Sequence, residues 1–129
     1  MERYVWIPPS AAGEYCPLEV MYKPDDVARE IFWQRILDCQ EVEWEVIEGL
    51  GYVALTDREA LRLGEINYKA SKLLRGLSDV HDVQSYGYYG IVVVAKMRLD
   101  DGGEPFIGWL DEADVQRLKS GYMGKGPRR

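Results

Sequence analysis

Three glutamates alternate with apolar residues in Glu41–Val46, "EVEWEV". Read as a strand, this segment projects Glu41, Glu43 and Glu45 from one face and Val42, Trp44 and Val46 from the other. Carboxylates two residues apart on a strand stand about 7 Å from one another. Burying the valines and the tryptophan does not require them. They are either a solvated strand face or a surface for something positive: a basic groove on another protein, this chain's own basic helix in a neighbouring copy, or a cation. Carboxylates at phosphate-like spacing would let such a face mimic nucleic acid and inhibit an enzyme that handles it, as phage and mobile-element inhibitors do.

A second constellation is "QSYGYYG", Gln84–Gly90. Adaptable Ser and Gly with rigid aromatic anchors is the composition of binding loops, so Tyr86, Tyr88 and Tyr89 join the candidate contacts, although tyrosines also end strands for ordinary reasons. An alternative use is a small ligand or nucleotide stacked on Tyr88, with Lys96 and Arg98 supplying positive charge. The third is His81 in "SDVHD", where Asp79 or Asp82 could orient a general base. Its nucleophile would have to come from Cys16, Cys39 or Ser85, and no nucleophile-elbow pattern surrounds them. With a single histidine and no C-x₂-C or H-E-x-x-H, no metal site is expected. No cofactor motif is present, and the reading favours a protein that binds over one that turns over substrate.

Charge agrees with a basic partner. The net charge is −6, and Lys125, Arg128 and Arg129 in the last nine residues leave about −9 elsewhere if that Gly/Pro-containing tail hangs free. Such a body disfavours direct nucleic-acid binding and anionic membranes and favours a protein with a basic surface. The sequence carries no long apolar run for a membrane span, and a cytoplasmic location with free thiols at Cys16 and Cys39 is the expectation.

The elements that must position these residues follow from pattern. Arg3–Ile7 and Leu18–Tyr22 read as an opening hairpin. "KPDDVAREIFWQRILDC" reads as a helix started by Pro24 and the two aspartates. Its apolar arc is wide, so either it is tucked between layers or Trp33 and Leu37 form a contact surface; Trp33 is carried as a candidate anchor. Val42–Glu48 and Tyr52–Leu55 form a second hairpin around Gly49 and Gly51. "TDREALRLGEINYKASKLLRG" reads as one helix with a Thr56–Glu59 capping box, an apolar face, and Arg58, Arg62, Lys69 and Lys72 on the other side. Tyr88–Leu99 is an interior strand, "EPFIGWL" its return, and a short helix capped by Asp111 closes the order.

The expected fold is therefore α+β: an antiparallel sheet of five or six strands with two or three helices mainly on one face. A single domain over 1–120 and a basic tail over 121–129 complete it. In that two-layer arrangement Val42, Trp44 and Val46 turn beneath the helices, and the glutamates line the open face. The two-sided charge would also permit a homodimer by head-to-tail association.

Overall fold

The computed structural model describes residues 1–10, 17–47, 49–63, 65–77 and 87–122. Strands β1 (Glu2–Ile7) and β2 (Glu19–Lys23) form the opening hairpin. After α1 (Arg29–Leu37), β3 (Val42–Ile47) and β4 (Tyr52–Asp57) form the second. A single turn α2 (Ala60–Leu63), the two-residue β5 (Ile66–Asn67) and α3 (Tyr68–Leu77) follow. The chain ends its described part with β6 (Tyr88–Tyr89), β7 (Val92–Leu99), β8 (Pro105–Gly108) and α4 (Glu112–Tyr122). The main sheet is antiparallel in the order β2-β1-β7-β4-β3, with β8 on β7, and β5 pairs β6 in a small second sheet. The α+β architecture with a six-stranded antiparallel sheet is as expected.

The apolar run of β7 explains its central place. Val92 and Val94 enter one core, with Val5, Ile7, Tyr52, Ala54, Leu73, Leu74, Val115 and Leu118. Val93 and Ala95 enter the other, with Tyr4, Val53, Leu55, Phe32, Trp33 and Leu37. Because side chains alternate along a strand, α3 and α4 cover one face of the sheet and α1 covers the opposite one. The glutamate face of β3, expected to stay open, is thus the face on which α3 and α4 pack, α1 takes the face of Val42, Trp44 and Val46, and the molecule has three layers.

Helix α1 begins later than its acidic start signal, because Asp25 and Asp26 lie in a preceding turn where Val27 N–H donates to Pro24 O at 3.2 Å. The Lys23 ammonium closes that turn, donating to the carbonyls of Pro24 and Val27 at 2.8 and 2.6 Å. The helix ends on Asp38, a non-glycine residue at φ 55°. Its N–H reaches Arg35 O, and Cys39 N–H reaches Gln34 O, the bonds of a Schellman stop.

The long helix expected over 56–76 is broken. Asn67 ends β5 and caps α3: its Oδ1 accepts from Ala70 N–H at 3.0 Å, and its Nδ2 donates to Ile7 O and Gly90 O. Thr56 remains in β4 opposite Glu43, and Glu59 pairs with Arg62 at 2.7 Å instead of closing a capping box. At the C-terminal end α4 continues past its expected stop. A Cβ on Gly121 would stand 2.8 Å from Leu73 Cδ1, so the glycine lets α4 approach α3 closely, and Tyr122 is buried. Tyr122 therefore belongs to the core and not to the tail; residues 123–129 lie outside the described residues.

Candidate functional site

Strand β3 is the last strand of the sheet path, and it carries the glutamate row. Its register against β4 pairs Glu43 with Thr56, Trp44 with Leu55, Glu45 with Ala54 and Val46 with Val53. Leu55 and Val53 belong to the α1-side core and Ala54 to the other, so the carboxylates and the apolar residues do take opposite faces. Glu41, one residue before the strand, continues the ladder: its carbonyl accepts from Arg58 N–H at 3.0 Å. Glu41, Glu43 and Glu45 are exposed, and among the described residues none of them forms an ion pair.

The apolar side departs from expectation. Val42 packs into the α1-side core, but Trp44 is 55% exposed and Val46 40% exposed. Helix α1 packs on β3, β4 and β7, but on β3 it covers the start of the strand, at Val42, and leaves Trp44 and Val46 bare. Sequence reasoning missed Trp44 as a surface residue because alternation reports the face of a side chain, not whether a helix lies over it.

Two candidates named separately are brought together. The Tyr88 hydroxyl donates to Glu45 Oε1 at 2.5 Å, from a ring half-buried against the α3-side core. Burial first, and the neighbouring Glu45 carboxylate second, push the phenol above its ordinary range, so Tyr88 stays a donor. The backbone behind it is fixed by Ser71, whose hydroxyl donates to Asn67 O at 2.8 Å and accepts from Tyr88 N–H at 2.7 Å. Tyr89 is half-buried opposite Ile66. Tyr86, His81, Asp79, Asp82, Ser85 and Cys16 lie outside the described residues.

Other candidates are committed elsewhere. Trp33 is buried in the α1-side core, edge-on to Tyr4 at 6.1 Å between ring centroids, which removes it from any contact surface. Lys96 is bonded to α4. Its ammonium donates to both oxygens of Asp114, at 3.0 and 3.1 Å. Arg98 donates from Nε to Trp109 O at 2.8 Å and lies 4.6 Å over the Trp109 ring. Cys39 sits at the end of the α1 turn with Sγ 3.5 Å from Glu41 O. Burial, helped by Asp57 and Asp38, pushes its thiol up to about 11, so it is protonated near neutral pH and a poor nucleophile.

Asp114 is the polar residue that sequence reasoning did not single out. At 2% exposure it accepts from Tyr52 at 3.0 Å, from Lys96, and from Asp111 N–H at 3.0 Å, while Asp111 Oδ1 accepts from Asp114 N–H at 2.9 Å. This is a reciprocal cap on α4. Burial alone would raise the Asp114 carboxyl, but these hydrogen bonds outweigh it and hold the group below its ordinary value. Arg117 donates to the Tyr52 hydroxyl at 3.1 Å and completes the network. Its "D-x-x-D" helix-start spacing was the available signal.

Compared with protein-family models, curated proteins and solved structures, the chain matches none of them. Among the described residues no helix is long and apolar enough to cross a membrane, and no three acidic, histidine or cysteine side chains are placed to share a metal ion.

Proposed function

We propose that the protein binds rather than catalyses, and that it engages a partner protein with a basic surface through β3, so as to inhibit or modulate that partner. The observation that supports this is one strand at the end of the sheet with three exposed carboxylates and, among the described residues, no cation bonded to them. Folding does not call for such a row. Electrostatic complementarity to a basic patch gives it a use, steering encounter and fixing orientation. Tyr88 holds Glu45 in place and so lowers the cost of ordering that side chain on binding. The small-ligand alternative on Tyr88, Lys96 and Arg98 loses support, because both cations are already bonded within the protein.

Retention on immobilised poly-lysine tests the reading. The triple variant E41Q/E43Q/E45Q is compared with D25N/D26N/D101N, which removes the same charge from other exposed positions. The β3 variant should elute at clearly lower salt than the control variant. Equal elution of the two would mean that only net charge matters, and the reading would fall.

A further inference from the structure

The phase of the β3–β4 ladder decides where the backbone of β3 points. In an antiparallel pair, opposite residues alternate between pairs that exchange both backbone bonds and pairs that exchange none. The bond from Arg58 N–H to Glu41 O places the 41–58 pair in the first kind. Stepping by two along the register, Glu43, Glu45 and Ile47 direct their N–H and C=O groups at β4. The N–H and C=O groups of Val42, Trp44 and Val46 therefore point outward. Among the described residues no further strand pairs with that edge. The exposed side chains of Trp44 and Val46 stand beside those free groups on the α1 side, and Glu43 and Glu45 stand on the other.

We propose that this edge accepts an extended segment of the partner as an additional strand, one in which lysine or arginine alternates with apolar residues. The proposal rests on the basic-partner reading above and names how that partner is held. A strand added to β3 must itself alternate between the two faces. Its residues on one side meet Trp44 and Val46, and those on the other meet Glu43 and Glu45. Backbone bonds supply affinity in this mode and alternate side chains supply selectivity.

A second copy is a poor occupant. Two β3 strands related by a two-fold axis keep the same faces together, so in every register the glutamates of one copy stand among those of the other. Like charges opposed across an antiparallel pair are destabilising. A basic alternating segment converts the same positions into opposite-charge pairs.

The probe is an acetylated, amidated (Lys-Val)₄ peptide, with two versions N-methylated either at every valine or at every lysine. All three carry the same charges, but each methylated version loses the N–H donors of one of its edges and gains methyl groups that crowd it. The parent should bind and slow amide exchange at Val42, Trp44 and Val46. One methylated version should lose about tenfold or more in affinity while the other keeps it, and which one fails reports the strand direction. Val46→Pro removes an outward N–H without touching the β3–β4 ladder and should lose the parent peptide; if that variant does not fold, exchange in the unmodified protein decides. Equal binding of the three peptides, absence of amide protection, or protection that appears in concentrated protein without peptide would each overturn strand addition. Binding that depends on Glu43 and Glu45 but leaves these amides unprotected would overturn strand addition alone. Binding indifferent to both glutamates would overturn the basic-partner reading as well.

Discussion

Asp114 and the glutamates of β3 are carboxylates on the same side of the sheet, in opposite circumstances. Asp114 is enclosed by Tyr52, Lys96 and the Asp111 backbone, and each of its oxygens is used. Glu43 has no ion-pair partner among the described residues, and Glu45 has one tyrosine. The first arrangement holds α4 onto β4 and β7, so folding accounts for it. The second contributes little to folding and leaves its side chains to solvent or to the partner proposed above. The lesson is that partnership, more than the number of charges, separates scaffold from surface.

Substitutions can break that contrast. The largest effect should come from Asp114→Asn, which leaves Lys96 without its counter-charge. We expect a loss of about 2–3 kcal/mol in urea unfolding, with retention on poly-lysine unchanged. The same residue sets a pH dependence. Its carboxyl binds a proton less readily folded than unfolded, so its contribution is intact above the ordinary aspartate value and disappears as pH falls below about 4. Urea midpoints measured across that range should fall more steeply in the parent protein than in the Asn variant. Next is Tyr88→Phe, which removes the bond to Glu45 and should cost about 1 kcal/mol, because Glu45 can hydrate instead. Smallest is Glu43→Gln, within about 0.5 kcal/mol. A Glu43 variant as destabilised as the Asp114 variant would erase the distinction.

What was legible from sequence follows the range over which each signal acts. The apolar stretch of β7 announced a strand covered on both sides, and the hairpin glycines Gly49 and Gly51 sit at positive φ as turn residues do. Alternation in "EVEWEV" correctly separated the glutamates from the valines. Asp111 was readable as a cap. The break before α3 was not, because Leu63, Ile66 and Ala70 keep a helical period across it. The local clue was Asn67, a residue type that favours helix caps and here caps α3. Three layers in place of two could not be read, since a wide apolar arc on α1 fits several environments. The partners of Asp114 come from β4, β7 and α4, and no local window contains them.

One consequence of the topology concerns synthesis. Strand β1 lies between β2 and β7, pairing Val5 with Val94 from opposite ends of the chain. During translation the opening hairpin has no second neighbour until β7 leaves the ribosome, and both cores stay incomplete until then because β7 contributes to each. Contacts of such long range close late and slowly. A nascent chain ending before Val92 should therefore remain protease-sensitive and a client for chaperones, and gain its compact form only when the last third has been made.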